Sequence, residues 1–159
     1  MIFMKTIVIG LGNPILGDDG VGWRVAEEVR QVVAGRPEVE VDCASLGGLS
    51  LMERLTGYER VVLVDSIYTG TLPDGTVRRF ALSDVPDLTA GHSGSAHDTS
   101  LRTALKVGRS MDVPLPADEA VSVVAIETHN VYDFSQELSP AVEACVQEAV
   151  RAVLEALKD

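Results

Sequence analysis

The stretch that decides the fold is Lys5-Thr-Ile-Val-Ile-Gly-Leu-Gly-Asn-Pro-Ile-Leu-Gly-Asp-Asp-Gly-Val-Gly22. Its first seven residues form a short, nearly continuous β-branched run, the pattern of a strand covered on both faces. A glycine-rich turn follows, and then Val21, Val25, Val29, Val32 and Val33 recur at helical spacing with Glu27, Glu28 and Arg30 between them. Gly35 and Pro37 stop that helix. A strand, a glycine-rich turn and an amphipathic helix together open an α/β layer structure.

The same alternation continues outward. Val39–Ala44 reads as a second strand and residues 49–56 as a short helix opened by Gly47 and Gly48. Arg60–Ile67 (RVVLVDSI) is the most clearly buried strand. The connection Gly70-Thr-Leu-Pro-Asp-Gly75 is too short for a crossover helix, so the strand after it, residues 76–82, is expected to return antiparallel as an edge hairpin. Residues 83–96 read as a long loop, and Leu101, Ala104, Leu105 and Val107 as a helix capped by Asp98 and reaching about Met111. Residues 120–126 form a fifth strand. The last helix starts with Ser139 at its cap and Pro140 at its first position. The order β-α-β-α-β-β-α-β-α predicts one domain over residues 1–159. Its class is α/β, a three-layer α/β/α arrangement around a twisted, mostly parallel five-stranded sheet with one antiparallel edge strand.

Composition narrows the function. The chain has 159 residues, with 13 Lys plus Arg against 24 Asp plus Glu, a net charge of −11. Such a surface repels nucleic-acid phosphates and anionic lipid, so neither nucleic acid nor membrane is expected as a partner. Aromatic residues are only 4%, too few for base-stacking platforms. Cys43 and Cys145 lie too far apart for a metal knuckle and read as reduced core thiols. The apolar start runs straight into glycines and acids with no small-residue cleavage site, and no segment approaches membrane-spanning length. A soluble, cytoplasmic protein is the expectation.

The first turn invites a dinucleotide reading, but the fingerprint needs a glycine at position 15, where Ile15 stands. Asp42, at the end of the second strand, keeps that alternative open as a ribose-binding group. Asp18 reads as a helix-capping residue that complements the macrodipole. Asp19 has no such need, and a second carboxylate beside the first suits a site that binds a cation. Asp65 follows the apolar run Val61–Val64 at the carboxyl end of a strand, where α/β proteins bind ligands; bonding to nearby loop amides is the alternative. Of three histidines, His97 sits at the opening of a helix that begins near that same edge. Asp19, Asp65 and His97 form a mixed oxygen and nitrogen set that suits a divalent first-row metal with open positions. Neither an HExxH helix nor a GxSxG elbow is present.

The residues then support a resemblance. Gly10-x-Gly-Asn13, followed by Leu16, Asp18-Asp19-Gly20 and Gly22, resembles the opening signature of the nickel–iron hydrogenase maturation endopeptidases. The likeness continues through Gly47-Gly48 and Leu51, Val64-Asp65, Ser95-Ala-His97 and Leu138-Ser-Pro140, and covers nearly the whole chain. The resemblance implies an enzyme that trims the C-terminal extension from the hydrogenase large-subunit precursor. It implies that Asp19, Asp65 and His97 are the catalytic and metal-contacting triad, with Asp19 standing where some members carry Glu. The metal it implies is nickel supplied by the substrate, with no stably bound cofactor. Asn13 is the expected hydrogen-bond donor to the scissile carbonyl. Beside this stand a nucleotide-binding α/β domain, a non-catalytic partner of hydrogenase assembly, and a general metallopeptidase.

Overall fold

The computed structural model describes residues 5–84 and 96–159, and the side chains of residues 96–100 fall outside that description. Five strands form the sheet: β1 (Thr6–Leu11), β2 (Val39–Ala44), β3 (Arg60–Ile67), β4 (Val77–Ala81) and β5 (Val121–Glu127). Four helices connect or flank them: α1 (Val21–Val32), α2 (Gly48–Arg54), α3 (Ala96–Ser110) and α4 (Pro140–Ala156). Strand order is β2-β1-β3-β5-β4, parallel throughout except for β4 against β5.

The central strands carry apolar residues on both sides because both sides are covered. All six residues of β1 are buried. Strand alternation sends Ile7, Ile9 and Leu63 to one face, where they pack with Leu51 of α2 and Leu101 and Leu105 of α3. Val8, Val62 and Val64 go to the other face and meet Val25 of α1 and Val146 of α4. The three-layer arrangement predicted from the alternation of periods is therefore the one observed.

Two boundaries differ from expectation. The strand after β3 is antiparallel and lies at the edge, as expected, but it forms no hairpin with β3. Its partner is β5, which inserts between them with Asp65 opposite Ala125 and Arg78 opposite Ala125 on the far side. The reason is burial. β5 is almost wholly apolar and buried at six of seven positions, so it takes the inner place, whereas the half-exposed β4 carries Arg78 and Arg79 and suits an edge. The third helix also begins at Ala96, so Asp98 falls within its first turn and does not cap it.

α1 sits on the sheet by backbone contact. A methyl group on Gly22 would collide with the carbonyls of Leu11 and Val64, and one on Gly10 would collide with the carbonyl of Gly22. This approach fixes the height of the 3-10 turn Gly17–Gly20 above the carboxyl ends of β1 and β3. At the opposite edge, the Arg60 guanidinium donates to the carbonyl of Ala156 at 2.6 Å, placing a cation at the carboxyl end of α4.

Both cysteines are free. Burial first, then the neighbouring Glu27 carboxylate, pushes the Cys43 thiol up to about 11. Burial first, then the charge of Glu148, does the same to Cys145. Two outcomes follow from the packing. Gly22→Ala should lower unfolding free energy by about 3 kcal/mol, because the obstacle is backbone that cannot repack; denaturant titration measures it. Both thiols should react slowly with a disulfide reagent at neutral pH in the folded protein and fully after unfolding, since the thiolate is the reactive form.

Candidate functional site

The carboxyl edge of the parallel strands gathers the buried acids among the described residues, Asp18, Asp65 and Glu127. Asp18 and Asp19 stand side by side in the 3-10 turn that joins β1 to α1. Asp18 is fully buried. Its Oδ1 accepts from the Ser139 backbone N–H at 2.7 Å and its Oδ2 from the Ser139 hydroxyl at 2.7 Å. The capping role expected of Asp18 is not observed: neither the 3-10 turn nor α1 has a side-chain cap hydrogen bond, and Asp18 instead holds Ser139, the N-cap residue of α4.

Asp19 is half-buried and turned the other way. Its Oδ2 accepts from the Asn13 backbone N–H at 2.8 Å and its Oδ1 from the Ser66 hydroxyl at 2.8 Å. Ser66 is the next residue after Asp65 in β3, so this hydrogen bond ties Asp19 to the strand end that carries Asp65. Asp65 is 2% exposed and alternates with Leu63 and Ile67, which places it on the α2/α3 side of the sheet. Two of the three expected site residues thus lie along one rim, with Asp19 bonded to Ser66 and the Asp65 side chain on the other side of the strand from the Ser66 side chain. The third, His97, lies in the first turn of α3, and that helix runs back toward the start of β5, so its first turn begins at the carboxyl edge. The His97 side chain lies outside the described residues, as do His92 and Ser95.

Asn13 makes the turn itself. Its Oδ1 accepts from the Ile15 N–H at 3.2 Å, leaving the Nδ2 amine outside that turn. The loop is stitched to the segment before α4, with the Gly17 N–H donating to the Ser135 carbonyl at 2.9 Å and the Asp18 N–H to the Asn130 carbonyl at 3.0 Å. Gly12, at φ 133, allows the turn to pass against the backbone carbonyl of Asp19.

Two residues that sequence reading did not single out complete the rim. Ser66 is one. Glu127, at the end of β5, is the other: it is 1% exposed, and it accepts from the Thr69 N–H and hydroxyl at 2.8 and 2.7 Å. The signal for Glu127 was the same as for Asp65, a first acid after a buried apolar run. No described lysine or arginine forms an ion pair with Asp18, Asp19 or Glu127; seven of the described arginines pair with other acids, such as Arg54 with Asp42 at 2.9 Å. That pairing also occupies the carboxylate that would have held a ribose. His129 pairs with Asp74. Among the described residues, no three His, Cys, Asp or Glu side chains group closely enough to hold a metal ion, and no helix is long and apolar enough to cross a membrane.

The profile of the hydrogenase maturation protease family matches residues 23–156. The hydrogenase 2 maturation protease of Escherichia coli (strain K12) is 26% identical over 158 residues, spanning 98% of this chain and 92% of that protein. The [NiFe] hydrogenase maturation protease HybD from Thermococcus kodakarensis superposes with a TM-score of 0.71 at 26% identity, covering 96% of this chain and 98% of its own. The E. coli hydrogenase maturating endopeptidase HybD shares the fold at a TM-score of 0.79 and 24% identity, over 98% and 93% of the two chains.

The opposite orientations of Asp18 and Asp19 predict opposite phenotypes. Asp18→Ala leaves the partly buried Ser139 N–H and hydroxyl without their acceptor and should cost about 2 kcal/mol of stability. Asp19→Ala removes partners at a half-open rim and should cost clearly less. Equal unfolding midpoints for Asp18→Ala and the unaltered chain would contradict the assignment of Asp18 to the α4 cap.

Proposed function

The chain belongs to the hydrogenase maturation protease family, and from that premise we propose that it is the endopeptidase that removes the C-terminal extension of a nickel–iron hydrogenase large-subunit precursor after nickel has been inserted. The observation that supports this reading best is the Asp19–Ser66 hydrogen bond, which holds a half-open carboxylate against the strand end that carries Asp65.

In this reading the metal belongs to the substrate. The precursor brings nickel to the rim, and Asp19, Asp65 and His97 add ligands to it, docking the scissile bond against the carboxyl edge. The protein itself keeps no resident cofactor. Water then adds its hydroxyl to the peptide carbonyl carbon, the C–N bond breaks, and the remaining proton passes to the departing amine. Either the precursor's metal polarises that water, or one of the two carboxylates takes its proton as general base. The Asn13 Nδ2 amine, not used by the turn, is a donor for the scissile carbonyl. The reaction is assigned to the cytoplasm, where a metal-loaded precursor would be completed.

Mass measurement of a large-subunit precursor before and after incubation tests the proposal. Shortening should require nickel in the precursor, and Asp19→Ala, Asp65→Ala and His97→Ala should each abolish it while leaving the far-ultraviolet circular dichroism unchanged. Normal trimming by Asp65→Ala would remove the triad assignment. Binding without shortening would make the chain an assembly partner, digestion of unrelated peptides a general peptidase, and retention of NAD or FAD in dialysis a nucleotide-binding domain.

A further inference from the structure

Hydrolysis at this rim creates an electrostatic problem. The carbonyl oxygen gains charge as water adds and ends as part of a new carboxylate, beside two acids whose repulsion the substrate's nickel offsets only in part. A cation facing the same place would offset that repulsion. β4 supplies one. Arg78 and Asp65 both pair in register with Ala125, from opposite sides of β5, so the three residues form one row across the sheet. Phe80, two residues along β4, packs with the α2/α3 core, as Leu63 does, so Arg78 and Asp65 face the same side. Their Cα atoms are about 10 Å apart, two strand spacings, and the residue between them is the small, buried Ala125.

The Arg78 Nε is buried and has no hydrogen-bond partner among the described residues. A buried donor left unmade is costly, which makes an acceptor brought by a ligand the economical partner. Glu127, the acid of β5 on that face, is already committed to Thr69. Arg79, next in sequence but on the opposite face, is paired with Asp159. We propose that Arg78 is a further catalytic residue of this site, donating from its guanidinium to the scissile carbonyl oxygen of the precursor as that oxygen becomes negative. The assignment rests on the protease reading above.

The test compares Arg78→Met, which keeps the packed stem and loses the donors, with Arg78→Lys, which keeps the charge. Processing of nickel-loaded precursor is followed by mass spectrometry at varied precursor concentration. Arg78→Met should lower kcat by about tenfold to a hundredfold, the worth of a hydrogen bond to a charged group, with little change in KM and an unchanged melting temperature. Arg78→Lys should recover part of the loss. If the unaltered chain trims the precursor and Arg78→Met has the same kcat, the role of Arg78 is overturned while the protease reading stands. If the unaltered chain trims nothing, both fall together.

Discussion

The contact between α1 and the sheet at Gly10 and Gly22 is the constraint on which the rest depends. Helices usually lie on sheets at side-chain distance, but here the backbone of α1 meets the carbonyls of Leu11 and Val64 directly. The first turn of α1 is therefore drawn down to the carboxyl ends of β1 and β3. The 3-10 turn before it inherits that position, and so do Asp18 and Asp19. The glycines that resemble a nucleotide-binding turn are there for approach to the sheet, and two carboxylates occupy the helix start where a pyrophosphate would otherwise lie.

Adjacent carboxylates repel, and this turn separates their work. In a 3-10 turn successive side chains diverge by about a third of a revolution. Asp18 is carried inward to Ser139, and Asp19 sideways to Asn13 and Ser66. One acid locks α4, the last helix in sequence, against the first loop. The other is left at the rim. The locking matters for the rim as well, since Asn130 and Ser135, just ahead of α4, accept from the same loop and set its path.

Much of this was legible in the sequence because burial writes itself into periodicity. β1 and β3 are apolar at nearly every position since both faces are covered, and Asp65 stood out as the first charge after such a run. Pairing choices left no such trace. Whether β4 joins β3 or β5 depends on competition for an inner position, which β5 wins by being the more apolar strand, and no local signal in residues 70–75 records that. The partner of Asp18 lies 121 residues away at Ser139, beyond any spacing rule. Glu127 carried a readable signal, but ending the strand at Ile126 left the acid in a loop. His97 was legible as a residue near a helix start, and its side chain lies outside the described residues.

The way these acids are held bears on what they can do. Across the described surface, arginines neutralise acids in pairs, Arg24 with Glu143 and Arg109 with Asp118 among them. Asp19 and Glu127 are held by neutral donors: a serine hydroxyl, a threonine hydroxyl and backbone N–H groups. An arginine partner would fix a carboxylate and also cancel its field at short range. Neutral donors fix it and leave most of its charge available. A carboxylate that is to receive a cation, or to take a proton from water, needs orientation without neutralisation, and neutral donors give Asp19 that orientation. The same logic gives a guanidinium its place on β4, two strand spacings from Asp65 with β5 between them. At that separation it leaves the acid charged and still faces the ground between them, where a substrate oxygen would acquire its charge.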